Sequence, residues 1–206
     1  MIDSHKFDYS KLETLNVSRE TFLELDEFKE MILYENKKIN LISQHTEEIA
    51  RDRHIIDCAQ IIDLIDENHL TCTDLGSGSG LPGLVIAIIK KKQKSKMKFS
   101  LYEKSFKKSN FLKKVINKFE LNAEVINQNI FDQKNLSSDL IVARAFKPLP
   151  IILDLVTDNF NDFKNIILFL GKSGKSSIEQ SLKNWNLEFI EKKSVTEKDS
   201  IIIKIN

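Results

Sequence analysis

Apolar and polar positions change their rhythm near residue 70. Before it, Phe22, Leu25, Phe28, Ile32 and Leu33 recur at near-helical spacing, which predicts a helix from an N-cap at Ser18 to about Lys37. An NKKINLIS segment follows at 36–43. Thr46 with Glu47 and Glu48 then opens a second predicted helix to about Asp66, its acidic first turn suited to the helix dipole. Residues 1–16 show little periodicity and read as an arm or a short helix.

From Leu70 onward, short apolar runs alternate with helical stripes. Strands are predicted at 70–75, 98–103, 123–127, 139–143, 165–170, 186–193 and 200–205, and helices at 82–92, 105–119, 149–160 and 175–184. Such alternation builds a mostly parallel sheet with helices on both faces. The last two strands, joined by SVTEKD, are expected to pair antiparallel at one edge. The expectation is an α/β, Rossmann-like, seven-stranded unit over 67–206, preceded by a helical segment over 1–66.

Between the first strand and the next helix lies TCTDLGSGSGLPG, which carries Gly76, Gly78, Gly80 and Gly83, four of the chain's 6 glycines. A plain turn needs one or two; four let a ligand lie against bare backbone. Residues 78–83 match GxGxxG, so a nicotinamide or flavin dinucleotide, and hence an NAD(P)-dependent oxidoreductase, has to be weighed. Asp74, directly before the loop, would repel a pyrophosphate and attract an ammonium, and Pro82 removes an amide that a phosphate would use. S-adenosyl-L-methionine, cationic and free of phosphate, fits better. Glu103 then ends the next strand, where a carboxylate can hold two ribose hydroxyls. The backbone from Asn129 to Phe131 would lie beside the adenine, with Phe131 either packed on that ring or in the core.

Composition narrows the setting. At 206 residues and 41% hydrophobic, the chain can bury a real core. No run approaches the roughly 18 apolar residues of a membrane span, and the polar start does not resemble a signal peptide, so a cytoplasmic location is expected. Cys58 and Cys72 sit in apolar stretches without metal-ligand spacing and read as buried thiols. The net charge of +1 hides an asymmetry: residues 90–120 hold twelve Lys against Glu103 and Glu120. Such a run is either a face for a polyanion or ordinary solvated helix surface.

Four stretches together carry a family resemblance: NKKINLIS at 36–43, RHIIDC at 53–58, TDLGSGSGLPG at 73–83 and DLIVARAFKPL at 139–149. The chain resembles the small-subunit (16S) ribosomal RNA guanine-N7 methyltransferases, the glucose-inhibited division protein B family, over about residues 30–205. The resemblance implies a class I methyltransferase fold and methylation of a guanine in the decoding-region loop. It also implies cofactor contacts at Gly76, Leu81, Ile130, Phe131 and Arg144. Where the family has an Arg-x-Glu-like pattern after the third strand, this chain has Asn129-Ile130-Phe131, which leaves a backbone contact there. The family's Lys-Gly pair after the fifth strand is here Gly171-Lys172.

Guanine N7 carries an exposed lone pair, so its methylation needs no general base, and positioning supplies most of the acceleration. Arg144, after the fourth strand, is the candidate catalytic residue, since a planar fork can hold guanine O6 or a phosphate; its alternative is a structural salt bridge. Arg53 and Asp57, four apart, read either as part of the site or as a surface pair, and His54 as a site or a core histidine. Arg53, His54, Lys107, Lys108 and Lys172 are the RNA-binding candidates, with the lysines at 90–98 and 104–118 offering phosphate contacts. The expected partner is 16S rRNA or the small ribosomal subunit, with neither metal nor membrane, for a chain expected to be monomeric. A non-catalytic, cofactor-sensing RNA-binding protein is the other alternative.

Overall fold

The computed structural model describes residues 17–206; the segment 1–16, read as an arm or short helix, lies outside them. Helix α1 (Arg19–Asn36) starts where the periodicity placed it, with the Ser18 hydroxyl accepting from the Thr21 amide. The single helix expected over 46–66 is instead broken. A 3-10 turn (Gln44–Thr46), a π-helical stretch (Arg51–Ile56), one α turn (Asp57–Ala59) and a second 3-10 turn (Ile62–Leu64) replace it. The buried Gln60 amide donates to the Asp57 carbonyl at 2.9 Å, which competes with continuation of the helix past that point.

Seven strands follow: β1 (Thr71–Leu75), β2 (Lys98–Tyr102), β3 (Ala123–Ile126), β4 (Leu136–Arg144), β5 (Phe160–Leu170), β6 (Phe189–Lys193) and β7 (Ile201–Ile205). Helices α2 (Gly83–Lys92), α3 (Phe106–Phe119), α4 (Leu149–Asn159) and α5 (Gly174–Ser181) alternate with them. The sheet order is β3-β2-β1-β4-β5-β7-β6. Strands β1 to β5 pair in parallel, whereas β7 runs antiparallel to both β5 and β6. The antiparallel strand is therefore one position in from the edge, because IIIKI of β7 is buried at every position, with the Lys204 ammonium tied to Asp66, while β6 is half exposed.

One sheet face is covered by α1, α2 and α3, where Phe28 and Ile32 pack in one cluster with Ile86, Leu112 and Val115. The other face is covered by α4 and α5, through Leu153, Val156 and Ile178. The helical segment thus shares a core with the sheet. Cys58 and Cys72 are free and fully enclosed, and burial pushes both thiols above their usual range. Among the described residues no helix is long and apolar enough to cross a membrane. The strand order reverses between β1 and β4, where parallel α/β sheets open a crevice at their C-terminal ends.

Candidate active site

The glycine loop leaves β1 at this crevice. Gly76 has φ +67°, and a Cβ built there would stand 2.3 Å from the Phe146 ring, so only glycine fits. The loop is tied to β2 and its end: the Ser77 amide donates to the Tyr102 carbonyl at 2.8 Å, and the Gly78 amide to Glu103 Oε2 at 2.9 Å. Glu103 also accepts from the Ser105 amide through Oε1 at 2.6 Å, which leaves lone pairs on both oxygens. Gly76, Glu103, Lys108, Asn129, Phe131 and Phe146 are among the walls of a cleft of about 480 Å³.

Other expected contacts are placed differently. Asp74 is buried beneath the loop, where Oδ2 accepts from the Gly83 amide at 3.1 Å and Oδ1 has no partner among the described residues. Burial, reinforced by nearby Glu103, pushes its carboxyl up to about 7 despite the amide contact. The Leu81 side chain packs into the core, and Ile130 is buried while its neighbour Phe131 is exposed to the cleft. The Ile130 and Phe131 carbonyls are both held by Asn159 Nδ2 at 3.2 Å, which fixes the turn backbone beside the cleft. Gly80 turns the loop with φ +87° against Leu84. Because Gly78 and Gly83 both donate their amides to carboxylates, the loop is poorly suited to a pyrophosphate, which weakens the oxidoreductase alternative.

Arg144, at the end of β4, is drawn into a buried hub. Its Nε donates to Asp57 Oδ2 at 3.0 Å and its Nη2 to the Arg53 carbonyl at 2.8 Å. Asp57 Oδ1 accepts from Gln60 Nε2 (2.9 Å), Ser194 Oγ (3.1 Å) and Thr196 Oγ1 (2.7 Å). Arg53 and Asp57 therefore do not pair with one another; Arg53 reaches toward Glu197 at 3.7 Å. The Thr46 hydroxyl donates to the Ser43 carbonyl, so His54 Nε2 is the donor in its 2.8 Å bond to Thr46. His54 Nδ1 is then an acceptor without a partner among the described residues, and burial with two nearby arginines lowers the imidazole to about 4. Ser194 and Thr196, in the β6–β7 turn, went unnoticed in the sequence because isolated hydroxyls in a polar turn carry no signal of their own.

The lysine-rich stretch is only partly a free face. Lys92, Lys118 and Lys114 approach Glu24, Glu27 and Glu35 of α1 at 2.6, 2.7 and 3.9 Å, so part of the charge asymmetry is answered within the molecule. Lys104, Lys107 and Lys108 form no ion pair among the described residues, and Lys104 and Lys108 line the cleft. Lys172 lies apart at the end of β5, well exposed and 3.7 Å from Asp199. Among the described residues no cluster of His, Cys, Asp and Glu side chains could hold a metal ion.

Comparison with known proteins gives the family and the fold class. A Ribosomal RNA small subunit methyltransferase G of Pelagibacter ubique is 51% identical over 200 residues, covering 96% of this chain and 94% of that protein. The protein of the same name from Bartonella tribocorum is 36% identical over 193 residues, 93% of this chain and 90% of its own. In fold the chain resembles a SAM dependent methyltransferase from Aquifex aeolicus (TM-score 0.57, 12% identity, 76% of this chain and 90% of that one). It also resembles the 16S rRNA methylase RmtB (TM-score 0.56, 12% identity, 92% of this chain and 75% of that one). With the family described as rRNA small subunit methyltransferase G matching residues 22–203, and with relatives of that name covering nearly the whole chain, the chain belongs to that family of methyltransferases.

Proposed function

We propose that the protein transfers the methyl group of S-adenosyl-L-methionine to N7 of a guanine in 16S, small-subunit rRNA, working as a monomer in the cytoplasm. The observation that carries the reading is the cleft at the ends of β1 and β2, where bare backbone at Gly76 meets the Glu103 carboxylate. These residues fit the cofactor: Glu103 keeps lone pairs for ribose hydroxyls, Phe131 covers an apolar ring, and Asp74 lies just under the loop as a buried acid. When bound, S-adenosyl-L-methionine supplies an electrophilic methyl on a cationic sulfur.

The chain's residues then have to position and shield. Because the guanine N7 lone pair would accept that methyl directly, with the carbon–sulfur electron pair retained by sulfur, no side chain of the protein would have to move a proton. Arg144 uses Nε and Nη2 in the hub, which leaves guanidinium N–H groups for guanine O6 or a neighbouring phosphate. Asp57 and the Arg53 carbonyl hold that fork in one orientation. Lys107, Lys108 and, farther off, Arg53 and Lys172 supply phosphate contacts that set register without reading sequence.

The test is transfer from labelled S-adenosyl-L-methionine into small-subunit particles purified from cells that lack the enzyme, followed by mapping of the modified base. Label at N7 of one guanine is expected. Binding of S-adenosylhomocysteine without any transfer would leave the cofactor-sensing alternative standing and overturn the proposal.

A further inference from the structure

A second cavity, about 280 Å³, opens beyond the C-terminal ends of β4 and β5, against the start of α4 and α5. Phe146, Leu149, Phe169 and Leu170 give it apolar walls, and Ser173 and Ser177 lie on its polar side. Phe146 and its neighbour Lys147 also line the cleft assigned to the methyl donor, so the Phe146 ring borders both spaces. That ring lies against Gly76 and stacks on Phe131 at 6.0 Å between centroids and 28° between planes. The residue before it, Ala145, has φ +51°, an uncommon turn for a residue with a side chain. This kink follows directly on Arg144, which is tethered to Asp57 and to the Arg53 carbonyl. A strained turn between a tethered arginine and a ring shared by both spaces has the form of a positioning device.

We propose that this cavity receives the acceptor purine, unstacked from its RNA, and that Phe146 is the face on which the purine lies. The inference rests on the function proposed above and adds where the base sits. A cavity with aromatic and aliphatic walls on one side and Lys147, Ser173 and Ser177 on the other suits a flipped base, which is held by stacking and read at its edges. Stacking on Phe146 brings the base to the wall of the donor cleft. Methylation at N7 also builds positive charge on the purine, and the negative face of an aromatic ring stabilises that charge more than it does the neutral base. The ring therefore favours the transition state over the ground state.

The experiment compares wild type with Phe146→Leu, Phe146→Tyr and Ser177→Met. Methyl transfer into the same small-subunit particles gives kcat and KM, and calorimetry gives S-adenosylhomocysteine affinity. Phe146→Leu is expected to lower kcat/KM at least about fivefold, the low end for one lost base stack, with a smaller loss of S-adenosylhomocysteine affinity, since the ring also borders the donor cleft. Phe146→Tyr should restore most of the loss. Ser177→Met fills the cavity from the α5 side, away from the donor cleft, and should block transfer while leaving cofactor affinity unchanged. Wild-type turnover in Ser177→Met or Phe146→Leu would overturn the proposal. So would a fall in S-adenosylhomocysteine affinity in Phe146→Leu as large as its fall in turnover, since the ring would then belong to the donor cleft alone. An inactive wild type that still binds S-adenosylhomocysteine would instead refute the function itself, and the pocket with it.

Discussion

Replacing Arg144 with Ala removes the guanidinium that pairs with Asp57 at 3.0 Å, where the side chains are only 13% and 6% exposed. Asp57 keeps three neutral donors, Gln60, Ser194 and Thr196, all on Oδ1, while Oδ2 loses its cation. Breaking a buried pair by deleting one partner costs about 3–5 kcal/mol, since the remaining charge stays desolvated. The three surviving donors place this case near the low end, about 3 kcal/mol. That is a large share of the roughly 5–15 kcal/mol that holds a typical domain folded. Urea unfolding followed by circular dichroism reads it directly as a lower midpoint at unchanged slope. Adding Asp57→Asn to Arg144→Ala removes the stranded charge and should return about 1–2 kcal/mol, a coupling visible in a double-mutant cycle. Arg144→Lys keeps a charge without the fork, so it should hold more of the stability than Ala while still losing methyl transfer. If Arg144→Ala unfolds within about 0.5 kcal/mol of wild type, the assignment of this pair as a buried structural hub is wrong.

Three further outcomes are expected. Gly76→Ala forces φ +67° on a residue with a Cβ and drives that carbon into the Phe146 ring, so S-adenosylhomocysteine affinity measured by calorimetry should fall at least about tenfold; an unchanged affinity would contradict the assignment of the cleft. His54, lowered to about 4 in the folded protein, leaves the unfolded chain to take up more protons between pH 6.5 and 4, so its contribution falls on acidification, by up to about 2 kcal/mol at pH 5. Asp74, raised to about 7, acts in the opposite sense, since the folded state holds a proton that the unfolded state loses above pH 3.8. His54→Gln should therefore raise stability at pH 5 relative to pH 7 compared with wild type, and Asp74→Asn should lower it; urea midpoints at the two pH values decide. Lys107→Glu should weaken particle binding and flatten its salt dependence at constant cofactor affinity, whereas Lys92→Glu, already paired with Glu24, should do less.

Much of this protein is written locally. The change from helical to alternating periodicity near residue 70, the Ser18 cap and the glycine spacing at 76–83 depend on neighbours a few positions apart, and the elements they predict are present. Glu103 follows β2 beside the cleft for the same reason: strand ends in a parallel sheet gather at one edge. The rest depends on partners far apart in the chain. Asp57 and Arg144 are 87 residues apart, and nothing local to either names the other as its partner. The lysines at 92, 114 and 118 read as an RNA face until α1 is laid against them. The break after Asp57, the insertion of β7 between β5 and β6, and the double duty of Phe146 follow the same rule. Sequence periodicity records which face of an element is buried, but only the packed chain brings distant groups within hydrogen-bond reach, and burial then makes their pairing count.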